Sequence, residues 1–160
     1  MKKALKQTKK AIEDLLSVLD ETEERIDDID TLIQKAHDKV AKLEEEVTGV
    51  VSQMRKLERK IHKKINKIAR IKKAIFKAET DRQVEELERD YDRAMKELRA
   101  LEKEYAKLQK KYEKLVAKES KLLDEEMALE EEAAELDEKQ RAAIEKLMGK
   151  MAKLQGRLSA

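Results

Sequence analysis

His37 and His62 are the side chains of this sequence best suited to moving a proton or ligating a metal near neutral pH. They stand far apart in the chain, and neither has a second ligand at the spacing a metal site requires. Both read as plain surface residues. Asp27, Asp28 and Asp30 gather carboxylates as a calcium loop does, but the glycine that turns such a loop and the glutamate that closes it are missing. The absence of Cys removes thiol nucleophiles, thiolate metal sites and disulfides together. The three glycines form no phosphate-cradling loop, and the few Ser and Thr have no base placed to activate them. These residues predict a protein that is not an enzyme and takes neither metal nor cofactor.

Attraction of anions is better represented. Residues 55–77 hold eleven bases, Arg55, Lys56, Arg59, Lys60, Lys63, Lys64, Lys67, Arg70, Lys72, Lys73 and Lys77, against one acid, Glu58. Arg59, Lys60, Lys63, Lys67 and Arg70 are the candidate anion contacts. Phosphate recognition wants such bases on one face, and single-stranded nucleic acid also wants aromatic platforms. This band spreads around the exposed surface, and Phe76 is its only aromatic. Its plainer role is a solvated face or a contact with another protein.

The elements that hold these residues are written in the spacing of the apolar ones. Charged residues make up 46% of the 160 and aromatics 2%, with no Pro or Trp. Such a composition belongs to long helices or to disorder, and periodicity decides between them. Steps of seven from Leu5 give Leu5, Ile12, Leu19, Ile26, Ile33, Val40, Val47, Met54, Ile61, Ile68 and Ile75, every one apolar. Three residues further on stand Thr8, Leu15, Thr22, Ile29, Ala36, Leu43, Val50, Leu57, Lys64, Ile71 and Ala78. These are the a and d positions of a heptad, and they predict one helix about 110 Å long at about 1.5 Å per residue. Gly49 falls at an outward c position with the phase intact around it, so it weakens the helix by up to about 1 kcal/mol without ending it.

A second phase starts at Val84. Its d series is Leu87, Ala94, Leu101, Leu108, Leu115, Leu122, Leu129 and Leu136; its a series is Val84, Tyr91, Leu98, Tyr105, Tyr112, Glu119, Glu126 and Ala133. The two acids weaken this seam, and Val116, Leu123 and Met127 are placed to share it there. Past Leu136 the apolar residues Ile144, Leu147, Met151, Leu154 and Leu158 suggest the repeat displaced by four, a stutter that would unwind a supercoil. The three tyrosines widen the seam and put hydroxyls at its rim.

Between the two phases stands Thr80-Asp81-Arg82-Gln83, which reads as a capping box with Thr80 as N-cap. Asp81 suits the positive end of a helix dipole. The two tracts are nearly equal in length, so the chain is expected to double back, with Ala78 facing Val84 and Ile75 facing Leu87. A short connection of this kind is normal for two antiparallel helices. The competing readings are one straight helix of about 240 Å dimerising in parallel, and a shorter bundle with breaks near Gly49 and Ser120.

Charge is banded along the chain. Residues 13–30 hold nine acids against Arg25 alone, residues 124–138 hold nine acids and no base, and both the N-terminus and residues 139–157 are basic. Folding back at Thr80 sets the basic band beside acids of residues 85–107, and sets acid beside acid around 24–30 and 132–138. Such bands invite staggered association between copies. Residues 1–19 are amphipathic, with Leu5, Ile12, Leu15, Leu16 and Leu19 opposite lysines, as in a membrane-surface helix, but the same residues continue the heptad.

The expected fold is all-α: a long antiparallel coiled-coil helical hairpin forming a single coiled-coil domain over 1–160, with helix 1 at about 2–78, a turn at about 79–83 and helix 2 at about 81–158. Ile12, Leu19, Ile26, Ile33, Val40, Val47, Ile61, Ile68, Ile75, Leu87, Leu101, Leu108 and Leu115 form its core seam and its means of self-association. In outline such a hairpin resembles secretion-apparatus stalk proteins, membrane-remodelling hairpins that polymerise, and cytoskeletal coiled-coil rods. Shape and composition carry that likeness, and no motif transfers a residue's role. The function expected is structural, with the chain itself as the main partner in an oligomer, filament or scaffold and other coiled-coil proteins next. The alternatives are a binding module that sets the basic band on anionic lipid or nucleic acid, and a stalk or adaptor within a larger machine. No stretch approaches the roughly 20 apolar residues of a membrane span, and charges at Lys6, Lys9, Lys10, Glu13 and Asp14 break up any signal-peptide core. The sequence therefore reads as soluble and cytoplasmic.

Overall fold

The structure, a computed structural model, describes residues 2–159, so Met1 and Ala160 at the ends of the expected domain lie outside it. Two helices make up the fold: α1 spans Lys2–Lys77 and α2 spans Asp81–Ser159. With no proline in the sequence, every residue beyond the first turn of each helix can donate to the carbonyl four residues earlier. α1 passes through Gly49 without a break. The two helices pack against each other as a helical hairpin.

The reversal is tight. Ala78, Glu79 and Thr80 are the only non-helical residues between the helices, and α2 starts at Asp81. The Ala78 amide donates to the Ile75 carbonyl at 3.3 Å and closes α1. Thr80 Oγ1 accepts from the Gln83 amide at 3.3 Å, and the Val84 amide donates to the Thr80 carbonyl at 3.2 Å. Thr80 is therefore the N-cap. Gln83 Oε1 accepts from the Glu79 amide at 3.1 Å, one residue before the N-cap amide that a capping box normally uses. Asp81 adds a negative charge to the first turn, where the helix dipole favours it.

Contacts divide the chain into two units, Met1–Val40 with Lys121–Ala160, and Ala41–Ser120. In the unit that contains the turn, Ile68 and Ile71 of α1 cluster with Ala94 and Leu98 of α2, and Ile61, Ile75, Leu87, Tyr91 and Met95 pack around them. This is the register that sets Ile75 near Leu87. Val50, Leu57 and Leu115 are buried further along the same unit. Each such aliphatic side chain contributes about 1.5–3 kcal/mol when fully withdrawn from water.

The other unit is built alike. Ile29, Ala36 and Val40 of α1 and Ala143 of α2 are buried, together with Thr22 and Glu126. The Thr22 hydroxyl lies 2.9 Å from the carbonyls of Val18 and Leu19, so its burial leaves no donor unmet.

Two sequence expectations fail on α2. The stutter past Leu136 does not occur: Gln140, Ala143, Leu147, Lys150 and Leu154 turn inward in the original seven-residue phase, while Ile144, Met151 and Leu158 are exposed. Likewise Glu119 and Glu126 keep their a positions, and Val116, Leu123 and Met127 stay outside. The physical reason is the stiffness of a helix. Its phase at each turn is inherited from the turn before, and displacing it by four residues would rotate the later side chains away from a partner already in register.

Candidate functional site

Of the predicted seam residues, the structure buries Val40, Ile68 and Leu115. It leaves Ile12, Leu19, Ile26, Ile33, Val47, Ile61, Ile75, Leu87, Leu101 and Leu108 partly covered. A pair of helices shields each seam from one direction only, so partial cover is the rule. Leu5 and Leu15 are likewise partly covered while Leu16 faces water.

Polar links flank the seam. In the first unit, His37 Nδ1 lies 2.7 Å from Glu126 Oε1, and Glu126 is buried while His37 is largely exposed. His37 is thus not a plain surface residue, as its sequence position suggested. The signal was an acid at an a position, which must find a polar partner across the pair. Arg25 binds Glu132 with two hydrogen bonds, Nε to Oε1 at 2.8 Å and Nη2 to Oε2 at 3.1 Å. The lone base of the 13–30 band therefore relieves the acid-beside-acid contact expected there. The Arg25 hydrogen bond holds the Glu132 carboxyl below its ordinary pKa, and Glu132 in turn raises that of Arg25. Arg157 Nη1 donates to Thr8 Oγ1 at 3.3 Å.

In the second unit the basic band is partly engaged by α2. Lys64, at a d position, pairs with Glu97, whose carboxyl is held below the ordinary value first by that hydrogen bond and then by the charge of Lys64. Tyr105 Oη donates to Glu58 Oε1 at 2.9 Å, which pushes the phenol pKa up, with desolvation adding to the shift. The Lys72 ammonium stands 5.8 Å from the centroid of the Tyr91 ring, within cation–π range.

The candidate anion contacts separate into groups. Lys60, Lys63 and Lys67 converge with Lys64 on one groove walled by Ala100 and Leu101 and shared with Glu97 and Glu104. Arg59 lines a different hollow with Arg55, Glu58, His62 and Lys63. Arg70 is exposed outside both. The two carboxylates in the lysine groove offset part of its positive charge. Among the described residues no group of His, Asp and Glu is arranged to hold a metal ion, and no helix is long and apolar enough to cross a membrane.

The class of fold defined by these contacts is a helical hairpin with polar links flanking a seven-residue seam. No protein-family model matches the chain, and no curated protein does so. Among solved structures, it is similar to the HP0958 protein from Helicobacter pylori CCUG 17874, solved at 2.2 Å, with a TM-score of 0.68 and 21% sequence identity. The match covers 98% of this chain and 68% of that one. At this identity the likeness is one of fold.

Proposed function

We propose that this protein is a non-enzymatic structural and interaction protein, a coiled-coil hairpin that associates with copies of itself into an oligomer, filament or scaffold. The observation that carries this reading is the surface left over once the seam has closed. Large apolar side chains on both helices, Leu16, Ile65, Phe76, Leu123, Met148 and Met151 among them, remain exposed beside bands of opposite charge. Exposed apolar groups in a row mark a surface that gains by being covered. Banded charge supplies an attraction that salt screens, with a Debye length of about 30 Å at 0.01 M and about 8 Å at 0.15 M.

Sedimentation velocity across that range of ionic strength tests the reading. Oligomers that shrink as salt rises are the expected result. A monomer at every ionic strength and at high protein concentration would contradict it. The convergence of Lys60, Lys63 and Lys67 on one groove favours, as a second reading, a module that binds anionic lipid or nucleic acid. Co-sedimentation with phosphatidylserine vesicles and a gel shift with duplex DNA, both fading with salt, are its measurements.

A further inference from the structure

The exposed apolar residues are not scattered. In the heptad frame of the seam, Leu123, Ile144 and Met151 occupy e positions and Met127 and Met148 occupy b positions of α2, with exposures of 43, 41, 54, 59 and 66% respectively. Positions e and b are adjacent on a helix, so these five form a second stripe beside the one that packs on α1. The opposite flank of the seam on α2 is different: its g positions, from Gln83 through Lys153, are all polar or charged. An apolar set confined to one flank needs an explanation that the hairpin core does not supply.

Charge along this stripe is predominantly acidic. Its outer edge, the f row, carries Asp124, Glu131, Glu138 and Glu145, and the stripe itself carries Glu130 and Asp137 against the single base Arg141. The matching face of α1 in the unit with the turn has the reverse composition. There Ile65 at e and Phe76 at b are 48 and 90% exposed, the f row carries Arg59 and Lys73, and Arg55 and Lys72 stand within the face against the single acid Glu58. A second copy of the α2 stripe is a poor cover for the first, because their acidic f rows would meet. The α1 face fits, because it offers apolar groups to the apolar stripe and bases to the acidic edge.

We propose that these two faces are the two halves of one interface: the acid-edged stripe around Leu123, Met127 and Ile144 on one copy receives the base-edged face around Ile65 and Phe76 of another. Each copy carries both halves, and the halves differ. Two copies can therefore satisfy both contacts reciprocally in a closed pair, or each contact can engage a further copy and propagate. This assignment rests on the self-association proposed above and names the surfaces that perform it.

Reciprocal charge reversal tests the pairing. One variant carries Glu131→Lys with Glu138→Lys, the other Arg59→Glu with Lys73→Glu. All four positions are exposed, and none takes part in an ion pair among the described residues, so helicity and melting should stay close to wild type. Each variant alone then presents two faces of like charge and should lose association at least tenfold by sedimentation. An equimolar mixture restores opposite signs at every contact and should recover assemblies of wild-type size. If either variant alone assembles as wild type does, or if the mixture of two non-assembling variants fails to recover, these faces are not the interface although self-association stands. A wild-type protein that is monomeric throughout would overturn both.

Discussion

The His37 imidazole and the Glu126 carboxylate, 89 residues apart in sequence, meet at 2.7 Å across the two helices of the first unit. The carboxylate occupies a seam position where a leucine would normally stand, and it is buried. The His37 ring is the side-chain hydrogen-bond partner of this buried group, and removing it strands the carboxyl. His37→Ala should therefore destabilise the protein by about 1–3 kcal/mol, the cost of leaving a buried polar group unsatisfied. Glu126→Leu should be neutral or stabilising, and His37→Ala made on that background should have little effect. Urea melts of the four proteins in this cycle check all three expectations.

Ile29 is fully withdrawn from water, the only large side chain so placed among the described residues. Truncation there leaves a cavity that two stiff helices cannot collapse, and Ile29→Ala should cost about 2–4 kcal/mol. Lys63→Ala, on the exposed face, should change stability by less than about 0.5 kcal/mol. Thermal denaturation followed by circular dichroism separates the two.

Acid should weaken the Lys64–Glu97 and Arg25–Glu132 links. Glu97 and Glu132 both have folded pKa values below their unfolded ones, because Lys64 and Arg25 hydrogen-bond their ionised forms. Their contribution is complete above the unfolded glutamate value of about 4.3 and disappears as the pH falls through the lower folded values. Comparison of wild type with a Glu97→Gln, Glu132→Gln double variant should show a small, salt-sensitive advantage in melting temperature at pH 5–8 that vanishes at lower pH. The advantage is small because both pairs are exposed to solvent.

At the reversal, Thr80→Ala removes the side-chain acceptor that meets the Gln83 amide. It should lower stability by about 1 kcal/mol. Thr80→Ser and Thr80→Asp, which keep an acceptor at the N-cap, should retain most of it.

The seam of α1 and its partner on α2 were legible because a seven-residue repeat that continues from Leu5 to Ile75 gathers its apolar residues on one helix face that must be covered. The turn at Thr80 was legible because the phase jumps where a capping residue stands. Residues 137–158 were misread for a physical reason. Ile144 and Met151 outrank Gln140 and Lys150 in hydrophobicity, but the seam keeps its seven-residue phase through Ala143, Leu147 and Leu154. The more apolar residues were left outside and the less apolar ones turned in. His37 was missed because its importance lies wholly in Glu126, and no local pattern joins positions so far apart. The basic band was legible as composition. How Lys64 and Lys72 are engaged depended on which α2 residues stood opposite.

The hairpin requires α1 and α2 to run side by side in opposite directions, and a distance between spin labels measures this directly. The chain has no native cysteine, so Glu24→Cys with Glu135→Cys places two nitroxides uniquely, on exposed positions near the Arg25–Glu132 link. Packed helix axes lie about 8–10 Å apart, which predicts a label separation of about 20–30 Å, unchanged when labelled protein is diluted tenfold with unlabelled. One continuous helix would separate the same positions by roughly 165 Å. A missing short distance, or one that vanishes on dilution, would contradict the hairpin.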